Sequence, residues 1–471
     1  MGRPRARLDP SSLSMKHPLP LSLPSVGIVS LGCPKNLVDT EVMLGHLQRE
    51  GLTLTDPERS RVVIVNTCGF IDSAKEESVS AILREVARKE AGEIDRVIVA
   101  GCMVQKYGRE LAAEIPEVDH FIGLDELEKA PAAALGLPSL PRFSDKPLAT
   151  RLYDDLAPRV LTHRKGYAYL KVAEGCNNPC TFCTIPQMRG LMRSRTIASL
   201  VKEAQSLEER GVKELVLISQ DTTRYGEDLG LGRTGLTALV TALLAETSFP
   251  WVRFLYAYPK TLHASVFELM SKSPRFVPYV DMPLQHVSKK ILTAMKRGGD
   301  PASYLKQFAR IREVVPDIAL RSTFIVGFPG EKDEDFLEVK EFLEAVRFDN
   351  AGVFTYSPEP GSGAEPLGDP VPFEEKSSRR AALMELQQKI SLSKNRAKRG
   401  KSFDALLEGP CEETEMLLEA RLGSQAPEID GRVLINEVPE GWTPRVGEIV
   451  RVKITEAHAY DLVGRVVAPV A

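Results

Sequence analysis

Apolar and polar positions fall into three regimes along the chain. In the first, short β-branched runs at Val26–Leu31, Arg61–Asn66 and Arg96–Ala100 alternate with helical periodicity over Leu37–Glu50 and Asp72–Glu90. The order β-α-β-α-β predicts a parallel, right-handed, doubly wound sheet. In the second, strand-like runs at Tyr167–Val172, Glu214–Ser219, Val252–Ala257, Tyr279–Pro283, Ala319–Val326 and Asn350–Tyr356 alternate with helical runs at Ile197–Glu209, Leu236–Glu246, Leu262–Lys272, Pro301–Val315 and Glu334–Val346. These read as six βα-like units, too few for a complete eight-unit barrel. The third regime begins after Gly400. There Phe403–Glu408, Arg432–Asn436, Ile449–Ala457 and Asp461–Val467 alternate between turns at Gly409-Pro410, Asp430-Gly431 and Val446-Gly447, as in a small antiparallel β-barrel. The pattern predicts an α/β multidomain chain with units at 25–140, 160–395 and 397–471.

Residues 1–25 stand apart, with five prolines, three early arginines and no unbroken apolar core of a signal peptide. The expectation for 1–24 is a disordered extension, with Met15 as an alternative start. Of 471 residues 43% are apolar and 27% charged, a globular balance. No uncharged apolar run approaches the roughly 18 residues of a membrane span. A net charge of −3 provides no general basic field for nucleic acid. Seven cysteines, an odd number, argue against a secreted disulfide scaffold and for metal or redox chemistry in a cytoplasmic setting.

Six of the cysteines form two sets. Each of the first three strands runs into one: Gly32-Cys33, Thr67-Cys68 and Gly101-Cys102. Ligands of doubly wound sheets lie outside the carboxyl ends of the strands, so the three thiols are expected on one edge. Three thiolates with a free fourth position suit an iron–sulfur cluster with one open iron. A catalytic zinc ion, or three inert core cysteines, are the rival readings. The second set, Cys176, Cys180 and Cys183, is spaced C-x3-C-x2-C in one loop, with Gly175 and Pro179 as turn residues. A zinc knuckle or redox pair is its rival, but no fourth Cys or His follows closely.

Other candidates lie at the ends of the middle strands: Gln220-Asp221, Gln285-His286 and the turn Gly327-Phe328-Pro329-Gly330-Glu331. Together with Cys176–Cys183 they are expected around one mouth. The two glycines would let backbone approach a ligand closely. His286 reads first as a structural histidine and second as a proton donor. Arg189, Arg193 and Arg195 read either as anion ligands or as a solvated helix entry. Cys411 reads as an incidental thiol. From Lys401 on, 13 acidic residues face 7 basic ones, a net charge of −6.

The spacing of Cys176, Cys180 and Cys183 is similar to the signature of the radical S-adenosylmethionine (SAM) superfamily. With Cys33, Cys68 and Cys102 before it and a small β-barrel after it, the chain from residue 25 resembles the methylthiotransferase family. Ser30-Leu31-Gly32-Cys33-Pro34-Lys35-Asn36, Asn66-Thr67-Cys68-Gly69-Phe70-Ile71-Asp72, Glu174-Gly175-Cys176-Asn177-Asn178-Pro179-Cys180 and Asp281-Met282-Pro283-Leu284-Gln285-His286 resemble the branch that modifies a ribosomal protein. The resemblance implies a cluster domain, an open six-unit partial barrel and a C-terminal module called TRAM. It implies two 4Fe-4S clusters on the six cysteines. It implies SAM near Gly327, Gly330 and Glu331, and methylthiolation of the β-carbon of an aspartate in the twelfth small-subunit ribosomal protein. An aspartate β C–H is barely acidic and carries no leaving group, so homolysis by a SAM-derived radical is the expected route, with a second SAM supplying the methyl group. Implied partners are a reductant such as flavodoxin or ferredoxin and a basic ribosomal protein docked on the acidic barrel. A tRNA methylthiotransferase of the same family is the nearest alternative, for which a basic barrel would be expected. A non-catalytic iron–sulfur carrier and a zinc-stabilised RNA-binding protein are further alternatives.

Overall fold

The structure, a computed structural model, describes residues 23–145, 148–163 and 165–469. All but the last two residues of the expected 1–24 extension lie outside the described residues. The first unit runs β1 (Ser25–Ser30), α1 (Pro34–Arg49), β2 (Thr53–Leu54), β3 (Val62–Thr67), α2 (Asp72–Glu90), β4 (Arg96–Gly101), α3 (Cys102–Glu114), β5 (His120–Ile122) and α4 (Ala130–Leu135). The strands form a parallel sheet in the order β2-β1-β3-β4-β5. All six residues of β3 are buried, as a strand covered on both faces requires. β2 and β5 are two and three residues long, too short to show a period. The strand order reverses between β1 and β3, which is where such sheets open a crevice for ligands.

The second unit runs β6 (Tyr167–Lys171), β7 (Ala173–Glu174), α5 (Ile185–Arg189), β8 (Arg193–Ser194), α6 (Ile197–Glu209), β9 (Glu214–Ile218), α7 (Gly235–Glu246), β10 (Trp251–Phe254), α8 (Ala264–Lys272), β11 (Tyr279–Asp281), α9 (Lys289–Ala294), α10 (Pro301–Val314), β12 (Ala319–Val326), α11 (Asp333–Val346), β13 (Asn350–Thr355) and α12 (Phe373–Arg396). β6-β9-β10 and β11-β12-β13 are parallel, and a bridge from Val252 to Phe276 connects the two halves of an open barrel. The 24-residue α12 supplies the sixth helix, which periodicity misses for a physical reason. Its buried face includes Lys376, Arg379, Gln387, Ser391 and Asn395 beside Leu383 and Ile390, so helical spacing is present without an apolar stripe.

The third unit runs β14 (Ser402–Cys411), β15 (Thr414–Leu422), β16 (Val433–Glu437), β17 (Ile449–Ala457) and β18 (Leu462–Pro469) and closes as β14-β15-β16-β18-β17. The antiparallel expectation needs one correction: β16 and β18 pair in parallel, Val433 against Leu462. The cause is parity, because directions cannot alternate all the way around a closed ring of five strands. β15 is absent from the alternation pattern because Leu417-Leu418 are adjacent. The barrel abuts the N-terminal ends of the core strands. Glu214 of β9 pairs with both Arg253 of β10 and Arg421 of β15. The Tyr167 and Tyr279 hydroxyls donate to Glu428 at 2.9 Å and Asp430 at 2.8 Å. Val38 of α1, Tyr169 and Val216 of the core, and Leu406 and Ala426 of the barrel share one apolar cluster, so all three units are packed together.

Candidate functional site

Cys33 caps the N-terminus of α1, Cys68 follows β3, and Cys102 opens α3, so all three stand at carboxyl ends of strands. Asn36 holds these ends together, its Nδ2 donating to the carbonyls of Leu31 at 2.7 Å and of Asn66 and Thr67 at 3.3 Å. Gly32 has φ +89° and a Cβ there would come within 2.6 Å of the Cys68 Cβ, so a side chain at this position would push two of the cysteines apart. The thiols feel one another: Cys33 raises Cys68, and both raise Cys102. Burial drives Cys102 up to about 12 against the opposing pull of Arg189. Burial also acts upward on Cys33, but Lys35 and Arg189 outweigh it and hold this thiol below its usual range.

The second triplet lies in the loop between β7 and α5. Cys176 and Cys183 are pushed up to about 11 and about 12, chiefly by burial. Each set offers three thiols, which suits an iron–sulfur cluster with one open iron, whereas a structural zinc ion takes four protein ligands.

A buried guanidinium serves each triplet. Arg297 donates from Nη1 to Cys180 Sγ at 3.3 Å and from Nη2 to the Pro283 carbonyl at 2.6 Å. Arg189 donates to Cys102 Sγ at 3.1 and 3.2 Å, to Glu174 at 3.0 Å and to Asp39 at 2.9 Å. Lys171 completes the network at 2.5 Å from Asp39 and 2.7 Å from Glu174. Two bases and two acids, all nearly inaccessible, thus link α1 of the first unit to the loop that begins the second triplet. Arg189 is no solvated helix entry. Arg195 is also buried, paired with Glu203, while Arg193 binds the Leu191 carbonyl at 2.6 Å.

The remaining candidates stand at strand ends around the same mouth. Gln220 donates to Glu174 at 2.6 Å, and Asp221 accepts from Asn178, between Cys176 and Cys180, at 2.7 Å. Gln285, with φ 72°, precedes a fully buried His286 whose Nδ1 accepts from the Ser288 amide at 3.0 Å. His286 Nε2 lies 3.5 Å from Glu331 and is buried without a hydrogen-bond partner among the described residues. The Glu331 carboxylate accepts from the Gly327 amide at 2.8 Å and from Arg379 of α12 at 2.7 Å, closing the turn from behind. A Cβ at Gly327 would strike Lys376, whereas one at Gly330 would meet nothing within 4 Å.

Models of known families match three segments: 25–123 the family described as Uncharacterized protein family UPF0004, 170–343 the Radical SAM superfamily, and 400–467 the TRAM domain. The chain is 48% identical to ribosomal protein uS12 methylthiotransferase RimO of Solibacter usitatus, over 94% of this chain and 95% of that one. It is 44% identical to the RimO of Koribacter versatilis over 93% of this chain and 96% of that one. The chain belongs to the RimO family. Among solved structures, a radical SAM methyltransferase, TsrM, from Kitasatospora setae superposes with a TM-score of 0.52 at 15% identity, covering 72% of this chain and 76% of that one. That likeness is one of fold.

Sequence reasoning for this RimO-family chain overlooked Lys35, Asn36, Asp39, Lys171 and Arg297 as parts of the site. Lys35 and Asn36 directly follow Cys33-Pro34, and Lys171 closes a strand, so position alone carried a weak signal for them. Arg297 lies far beyond the cysteine loop and has no local signal. The acidic barrel also changes character in three dimensions. Glu412, Glu413 and Glu415 are exposed, but Glu419 is buried against Arg432, and Asp430 is buried beneath Tyr279 and Arg321. Among the described residues, no helix is long and apolar enough to cross a membrane.

Proposed function

We propose that this chain methylthiolates ribosomal protein uS12 at the β-carbon of an aspartate, using SAM and two 4Fe-4S clusters. The observation that supports the reading is the Arg189 network, which runs from Cys102 of the first triplet to Glu174, two residues ahead of Cys176 of the second. The bound groups would supply homolytic chemistry, in which reductive cleavage of SAM removes hydrogen from an unactivated carbon and an open iron site offers sulfur. The chain's own residues hold and tune these groups. Cys176, Cys180 and Cys183 would ligate the SAM-binding cluster, and Cys33, Cys68 and Cys102 the sulfur-presenting one. Arg297 and Arg189 offset negative charge at one sulfur of each set. Gly327 and Gly330 would present backbone to SAM, with Glu331 keeping the turn closed. A second SAM would provide the methyl group, and flavodoxin or ferredoxin the electrons. The exposed acids at the tip of the β14–β15 hairpin would receive the basic surface of uS12. Anaerobically reconstituted enzyme, given reductant and SAM, should place a methylthio group on uS12 and leave tRNA unchanged. Mass spectrometry of both substrates tests this, and product on tRNA alone would refute it.

A further inference from the structure

Lys35 is a buried cation without an acidic partner. It is 8% exposed, and among the described residues no carboxylate pairs with its ammonium; the groups that favour its charge are the Tyr256 side chain and the Cys33 thiol. The neighbour under its Nζ is the ring of Tyr256, with the centroid at 3.4 Å. The other buried cations are committed elsewhere. Lys171 and Arg189 hold Asp39 and Glu174, Arg253 holds Glu214, and Arg297 donates to a thiol and a carbonyl. Burying an ion is costly unless it is paired, and a cation–π contact returns only part of that cost. A folded chain that retains such a charge has a use for it.

Its location narrows that use. Lys35 stands in the first turn of α1, two residues after Cys33, and that turn contains no acidic residue. The N-terminal end of a helix favours anions. Tyr256 follows β10 at the mouth of the open barrel, in the left-handed region at φ 65°. The ammonium therefore lies between the first cysteine triplet and the core mouth. On the proposed function, a substrate carbon that loses hydrogen on the core side and gains sulfur at the first triplet would pass beside this ammonium.

We propose that the Lys35 ammonium, seated over Tyr256, binds the side-chain carboxylate of the substrate aspartate. This rests on the reading of the chain as a uS12 methylthiotransferase. A carboxylate held there places the adjacent β-carbon between the first cysteine triplet and the core mouth and separates aspartate from asparagine by charge. No bond is made or broken by Lys35, which acts as a specificity-determining residue. The competing use of the lysine is to offset the charge of a cluster on Cys33.

The test compares holoenzyme with Lys35→Met and Lys35→Arg, on uS12 and on uS12 whose target aspartate is replaced by asparagine, used as a competitor. Three readouts are taken: KM for uS12, Ki for the asparagine form, and the midpoint potential of the N-terminal cluster. Lys35→Met should raise KM about tenfold, the scale of one lost hydrogen bond to a charged group. Its Ki should stay near the wild-type value, which collapses the aspartate–asparagine preference, and Lys35→Arg should restore part of that preference. The cluster midpoint should fall as well, because the ammonium also acts on the Cys33 thiol, so the aspartate–asparagine preference is the deciding readout. A preserved preference in Lys35→Met, or a shifted midpoint with equal losses on both forms, overturns the proposal and assigns Lys35 to the cluster. If wild-type enzyme leaves uS12 unmodified, the underlying reading fails and the inference falls with it.

Discussion

The Arg189 guanidinium donates to Cys102 Sγ from Nη2 at 3.1 Å and from Nε at 3.2 Å. Through Nη1 it also reaches Glu174, two residues ahead of Cys176, so one side chain touches both ligand regions. A cation hydrogen-bonded to a ligand sulfur favours the more negative, reduced state of a cluster. Arg189→Gln should therefore lower the midpoint potential of the N-terminal cluster, and Arg189→Lys should lower it less. Electron paramagnetic resonance during a redox titration measures this. An unchanged midpoint in fully loaded Arg189→Gln would limit the residue to packing.

Metal content should divide by triplet. Reconstituted wild-type protein should hold about eight irons, four per cluster. Changing Cys176, Cys180 and Cys183 to Ala should halve that number and abolish SAM cleavage. Changing Cys33, Cys68 and Cys102 to Ala should also halve it while SAM cleavage persists. Loss of cleavage from a Cys33/Cys68/Cys102 variant with an intact core cluster would contradict this division.

The barrel should come loose from the core in acid. Burial alone would raise the Glu214 carboxyl, but Arg253 and Arg421 hold it below its usual value of 4.5. A depressed folded pKa adds stability that is present above the unfolded value and is lost as pH falls through the folded one. Urea unfolding should therefore show this stability level from about pH 7 to pH 5 and falling as the pH drops below about 4.5. Glu214→Gln should cost about 3–5 kcal/mol, because two buried guanidinium groups lose their shared partner. It should also flatten the acid slope, and an identical slope in wild type and variant would count against the assignment.

Charge reversal on the barrel should affect the substrate step. Glu412, Glu413 and Glu415 are exposed on the β14–β15 hairpin, so changing all three to Lys should slow uS12 modification. The wild-type rate should fall with added salt, since exposed charges are screened over about 8 Å at physiological ionic strength. Glu419→Lys is a different experiment, because that carboxylate is buried against Arg432 and its loss should lower stability. Rates on uS12 that do not respond to hairpin reversal or salt would place docking on another surface.

The sequence alone determined the parts of this protein whose signals are local. α2, α6 and β17 occupy the spans that periodicity predicts, Asp72–Glu90, Ile197–Glu209 and Ile449–Ala457, because a repeat of 3.6 or 2 along the chain needs no distant information. The strand-to-cysteine steps at Cys33, Cys68 and Cys102 were legible for the same reason. Tertiary structure decided the rest. The sequence leaves Arg189 between anion ligand and solvated helix entry and gives Asp39 and Lys171 no role, since Asp39 meets Arg189 and Lys171 across 150 and 132 positions. The polar face of α12 resembles a solvated helix until β13 and α11 cover it. The parallel seam of β16 with β18 follows from closing an odd ring, a property of five strands together and of none singly. Period is written in neighbouring residues. The sign and depth of a buried charge depend on what the fold brings to it from elsewhere.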